Sequence, residues 1–145
     1  MIPSDKKYQA FLLRFTRYFL AVVFIASAIG KAINPHDFYN FVSLLPFPSF
    51  ASTSYFLALI VIAEVMLGIL LIVRRTAYLG AILSSCALFV FLVVLIFASH
   101  NDVSTPCGCF GALTIDHSID ASILIDVILL LLATIITHFS TVPAK

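Results

Sequence analysis

Residues 54–73 read SYFLALIVIAEVMLGILLIV, twenty positions with Glu64 as the one formally charged side chain. A helix rises ~1.5 Å per residue, so about 20 apolar residues cross the ~30 Å hydrocarbon core of a bilayer. Three further segments reach that length, at about 11–33, 77–99 and 121–139. Soluble domains carry about 25% charged residues; this chain carries 10%, with 62% hydrophobic residues, and has no polar face to cover a core exposed to water. The sequence therefore predicts an all-α integral membrane protein, a four-transmembrane-helix bundle forming a single domain over residues 1–145. There is no internal repeat and no linker. With a net charge of +1 and no basic patch carrying interleaved aromatics, nucleic acid is excluded as a partner.

Cytoplasmic loops collect Lys and Arg near helix ends. Lys6, Lys7, Arg14, Arg17, Arg74, Arg75 and Lys145 fall on one side of the four spans, whereas Asp37, Asp102, Asp116 and Asp120 fall on the other with Lys31 alone. Both termini are expected in the cytoplasm, and the loop of about residues 100–120 is expected on the extracytoplasmic side. The basic start followed by YFLAVVFI and ASA has the form of a signal peptide, but the apolar stretch extends upstream past Arg14, so a first membrane span is expected instead. Between the first two spans, Asn34 and Pro35 form a helix-start signal. Phe38, Phe41, Val42 and Leu45 then make one apolar stripe, which Pro46 and Pro48 end. This short amphipathic helix is expected to be interfacial, lying in the headgroup plane or roofing the bundle beneath the loop.

Charges inside hydrocarbon need partners or a purpose. Thirteen uncharged residues, Tyr18 to Gly30, separate Arg17 from Lys31. They rise only ~20 Å, so at least one of the two charges lies within the core or snorkels out of it. Glu64, near the middle of its span, is expected to pair with Lys31 or Arg17 of the neighbouring helix. Such a contact would lock two helices together or serve proton or thiol chemistry. Asp126 is expected just below the outer surface, solvated or snorkelled, with Asp120 as the cap of its helix. Cys86 is expected to pack between helices beside Ser84 and Ser85. His36, His100 and His117 fall on the outer side, but with the cysteines they match no metal-ligand spacing, so no metal site is assigned.

The segment STPCGCFGALTID, residues 104–116, holds two of the three cysteines, Cys107 and Cys109. A bridge between positions i and i+2 requires the chain to turn until the Cα atoms lie within ~4.4–6.8 Å, and Gly108 gives the backbone that freedom. A small ring removes little chain entropy and is a poor staple. Strained, exposed disulfides are the labile, exchanging ones. Flanked by Pro106, Phe110 and Gly111 in an oxidising compartment, the pair suits thiol–disulfide exchange; the other readings are an inert turn disulfide or two free thiols.

The string CGCFG, Cys107 to Gly111, following the third of four spans, resembles the methylamine-utilisation MauE branch of the DoxX-like membrane protein superfamily. Arg17, Lys31, Pro35, Phe38, Leu45 and Pro46 match the pattern of that family's first helix and the segment after it. Glu64 in AEVMLGILLI falls at the acidic position of its second helix. The resemblance covers about Arg17 to Gly111. It implies a redox-associated protein of the bacterial inner membrane whose partners include exported thioredoxin-like proteins or cysteine-bearing clients. The chain lacks a Cys-X-X-Cys pair. No cofactor is evident, so electrons would pass to a partner or to a quinone drawn from the membrane. The expected function is exchange through Cys107 and Cys109, in which a client thiolate attacks one sulfur and a second cysteine resolves the mixed disulfide; enzyme status stays open. Two other classes remain: a non-catalytic assembly factor or subunit within a homo- or hetero-oligomer, and a small proton-coupled transporter built on Arg17, Lys31, Glu64 and Asp126.

Overall fold

A computed structural model of the chain describes residues 5–46, 54–101 and 119–140. Five helices follow in order: α1 Asp5–Ile33, α2 Pro35–Ser43, α3 Ser54–Ile72, α4 Ala77–His100 and α5 Ile119–Ser140. There is no strand among the described residues. Four of the helices carry membrane-length apolar segments, Tyr8–Ile33, Ser54–Ile72, Ala77–His100 and Ile119–His138. Helix α5 starts at Ile119, so Asp120 lies in its first turn rather than capping it. There the carboxylate still complements the positive end of the helix dipole.

Because lipid is as apolar as leucine, helices in a bilayer associate through close packing and buried polar contacts rather than hydrophobic burial. Small residues supply that closeness here. A β-carbon at Gly68 of α3 would lie 2.7 Å from Ile25 Cγ1 of α1, and one at Gly80 of α4 would lie 2.9 Å from the backbone carbon of Leu70 in α3. Helices α3 and α4 are joined by a tight turn at Val73–Thr76. The Thr76 hydroxyl donates to the Leu70 carbonyl at 3.1 Å, satisfying an acceptor that the end of α3 leaves open. Around this turn end, Leu20, Ala21, Leu71, Ala81, Leu129, Ala133 and Ile136 form one buried cluster. Large apolar side chains such as Phe15, Leu59, Val90 and Leu131 face outward, where lipid would lie.

The opposite end is closed by α2. Pro35 opens this helix, and the Asn34 side-chain amide donates to Asp37 Oδ2 at 2.9 Å. Its stripe of Phe38, Phe41, Val42 and the following Leu45 is buried in one cluster with Leu57, Leu95, Ala98 and Ile119. α2 is thus a roof resting on α3, α4 and α5.

Candidate functional site

Beneath the α2 roof, the charged residues of α1 and α3 meet. Lys31 Nζ donates to Glu64 Oε1 at 2.6 Å and to Ser27 Oγ at 2.6 Å, and Ser27 Oγ in turn donates to Glu64 Oε1 at 3.3 Å. Ser27 and Lys31 stand one turn apart on the same helix face, and side chains lean toward the helix N-terminus. The lysine at the end of α1 therefore reaches back down to its serine and across to the carboxylate at mid-α3. Lys31 is 1% exposed and Glu64 9%. The Phe91 ring of α4 covers the ammonium, its centroid 5.6 Å from Nζ. Two opposite charges that each carry a large insertion cost are thus neutralised together, and the contact joins α1 to α3.

Arg17 takes no part in this contact. It lies nearer the other end of α1, with its guanidinium carbon 5.0 Å from the ring centroid of Tyr18. The spacing that left Glu64 a choice of Lys31 or Arg17 resolves to Lys31: α1 and α3 pair with Gly68 against Ile25 and Glu64 against Ser27, one turn from Lys31 and ~15 Å of helical rise from Arg17.

Asp126 departs from its expected setting. It is 2% exposed, neither solvated nor snorkelled, and its Oδ2 is buried without a hydrogen-bond partner among the described residues. The cause is register. In α5 the buried positions are Ile119, Ser122, Asp126, Leu129, Ala133 and Ile136, alternately three and four apart, and Asp126 falls on that inward seam. Cys86 is the opposite case. The inward seam of α4 runs through Ala77, Ala81, Ser84, Leu88, Leu95 and Ala98, and Cys86, two residues beyond Ser84, points away and is exposed. Ser84 is fully buried, and Ser85 donates its hydroxyl to the Ala81 carbonyl at 2.9 Å.

Ser27, Lys31, Glu64 and Asp126 line one cavity of about 580 Å³, with Cys86 at its edge. Its floor is Phe24, Ser27 and Lys31 of α1 with Asp126 and Leu129 of α5, all buried, and α2 roofs it with Phe38 and Phe41. The exposed residues of its rim are Leu59 and Ala63 on α3 and Cys86 and Val90 on α4. The cavity therefore opens sideways between α3 and α4, which touch at their turn and separate toward the roof. A second carboxyl oxygen, Glu64 Oε2, is also buried without a partner among the described residues.

Cys107 and Cys109, with Pro106, Gly108, Phe110 and Gly111, lie outside the described residues. The helices on either side are described. Leu95 and Ala98, near the end of α4, and Ile119, at the start of α5, pack in the cluster with α2, so both of these helix ends lie at the roofed end of the bundle. Arg74 and Arg75 are exposed at the opposite end, in the turn joining α3 to α4.

A family model described as methylamine utilisation protein MauE matches residues 9–139. The chain belongs to the MauE family. The match takes in all four membrane-length helices and extends past CGCFG through α5, so Asp126 as well as Lys31 and Glu64 lies within the family region. Searches of curated proteins and of solved structures found no match. The protein is a multi-pass membrane member of the MauE family. Membership fixes that setting; which chemistry it hosts has to be argued from the site.

Proposed function

We propose that the protein exchanges disulfides with an exported thioredoxin-like protein or a cysteine-bearing client, using Cys107 and Cys109 on the extracytoplasmic side of a bacterial inner membrane. The observation that supports this reading is that Ala98 and Ile119, which flank the Cys-Gly-Cys segment in the sequence, both sit at the roofed end, away from Arg74 and Arg75. By the distribution of basic residues that end faces out of the cytoplasm, where a disulfide persists.

The exchange balances as two sequential displacements. A client thiolate attacks one sulfur of the Cys107–Cys109 disulfide, the bond between them breaks, and a mixed disulfide forms as the other cysteine leaves as a thiolate. The client's second thiolate then attacks the mixed disulfide. The client is oxidised by two electrons, and Cys107 and Cys109 are left reduced. The reverse pair of steps with an oxidised thioredoxin-like partner restores the ring. In this reading the Lys31–Glu64 contact and the α2 roof hold the helix ends that present the loop.

Single variants test the scheme, since in each the remaining thiolate can attack the disulfide of the oxidised partner, and the mixed disulfide so formed has no second loop cysteine to resolve it. In cells quenched with acid and alkylated, Cys107→Ser or Cys109→Ser is expected to accumulate an adduct with another protein that reductant dissolves. If neither variant forms an adduct while both proteins are present at wild-type levels, exchange is wrong. The chain would then act in assembly, where both cysteines can be replaced without loss.

A further inference from the structure

The cavity between α3 and α4 has a composition that ordinary helix packing does not call for. Its exposed rim and most of its walls are apolar, with rings of Phe24, Phe56 and Phe91 among them, yet Asp126 Oδ2 and Glu64 Oε2 are buried in its lining without partners among the described residues. A buried polar atom left unpaired in apolar surroundings is costly, and each one in a native fold calls for an explanation. Volumes of roughly 300–1,000 Å³ are usual for small-molecule sites that combine apolar walls with a few placed polar groups. This one, at about 580 Å³, falls within that range.

Depth narrows the choice of occupant. Asp126 stands seven residues into α5 from Ile119, and Glu64 ten residues into α3 from Ser54. At ~1.5 Å per residue these groups lie roughly 10–15 Å below the helix ends. A phospholipid headgroup stays at the surface, and its acyl chain offers nothing to a carboxyl oxygen. The occupant must reach from the bilayer through the gap between α3 and α4, place flat apolar surface against phenylalanine rings, and carry oxygen groups that bond to a carboxyl. A carboxylate accepts from a hydroxyl, and a carboxylic acid donates to a carbonyl.

We propose that this lateral groove binds a membrane-soluble quinone, in oxidised or hydroquinone form, with a ring oxygen hydrogen-bonded to Asp126 and the hydrocarbon tail leaving between Leu59 and Val90. Both redox forms satisfy the carboxyl, one as acceptor and the other as donor. The site goes beyond the thiol reading and does not depend on it, since every residue invoked lies in the helices.

The test uses the full chain in phosphatidylcholine nanodiscs, with a tritiated short-tailed ubiquinone analogue and empty nanodiscs to subtract partitioning. Saturable binding near one molecule per chain is expected. Asp126→Leu should weaken it about tenfold, the scale of one buried hydrogen bond to a carboxyl group. Asp126→Asn, which keeps a donor and an acceptor, should stay within about threefold of wild type. Ala63→Trp should abolish binding by filling the rim, with unchanged thermal unfolding as the check on folding. A Cys107→Ser/Cys109→Ser chain should bind as wild type does, which separates this result from that of the exchange reading. Binding no greater than in empty nanodiscs would overturn the proposal. So would saturable binding unaffected by both Asp126→Leu and Ala63→Trp. Equal competition by a polycyclic lipid alcohol or by excess phospholipid would assign the groove to lipid instead of quinone.

Discussion

The two ends of the bundle are built on different principles. At the turn end, α3 and α4 meet backbone to backbone at Gly80 beside an apolar cluster, and the polar side chains buried there, Thr16 and Ser84, carry no charge. At the roofed end the same two helices stand apart, three of the chain's charged residues are buried between them and their neighbours, and a separate short helix closes the gap. Close packing in lipid needs small residues and no specific chemistry. A wedge held open around Lys31, Glu64 and Asp126 needs a reason, and the cavity supplies one. The rigid end positions the helices, and the open end is where binding and exchange would take place.

Removing one member of the charged pair should disturb this contrast most. Glu64→Leu leaves Lys31 buried with its ion partner gone and should cost ~3–5 kcal/mol, read as a lowered thermal midpoint in detergent. The double change Lys31→Met/Glu64→Leu should recover most of that loss, because it removes both buried charges. A single change as mild as the double would mean that Lys31 reaches water. At the turn end, Gly80→Ala forces a β-carbon against the Leu70 backbone and should cost ~1–3 kcal/mol. Gly68→Ala should cost less, since its nearest obstacle is the flexible Ile25 side chain. Ser27→Ala removes the hydroxyl that bonds both members of the pair and should cost ~1 kcal/mol. Asp126→Leu should be near neutral or stabilising, since it replaces a buried carboxyl, whose Oδ2 is unpaired among the described residues, by a packed apolar group. A large loss at position 126 would show that the carboxyl is structural and would remove the basis for a ligand there.

The spans and the family were legible from residue pattern, because an apolar run of membrane length admits few folds. That Glu64 meets a cation of α1 was legible from cost; that the cation is Lys31 and not Arg17 came from the packing of α1 on α3. What the sequence concealed was direction. In an amphipathic helix polar residues mark the outside, but α4 and α5 are apolar all round, so no stripe told which side faces the bundle. Asp126 read as a surface acid and Cys86 as an interhelical packing residue, and both assignments reversed when the buried seams were placed. The available signal was the small and polar residues of the seams, Ser122 and Ala133 in α5 and Gly80, Ala81 and Ser84 in α4, since these are what neighbouring helices prefer to contact. The lateral opening was hidden for another reason: it depends on how far α3 and α4 diverge beyond their turn, which no local pattern encodes.

The most direct test of the account is the redox state of the loop cysteines in intact cells. In a Cys86→Ser background, Cys107 and Cys109 are the only thiols left in the chain, and a membrane-impermeant alkylating mass tag reports them with or without prior mild reduction. An oxidised, reducible pair reached from outside gives no labelling at rest and two tags per chain after reduction. Full labelling without reductant, or none even after it, would contradict an extracytoplasmic exchanging disulfide.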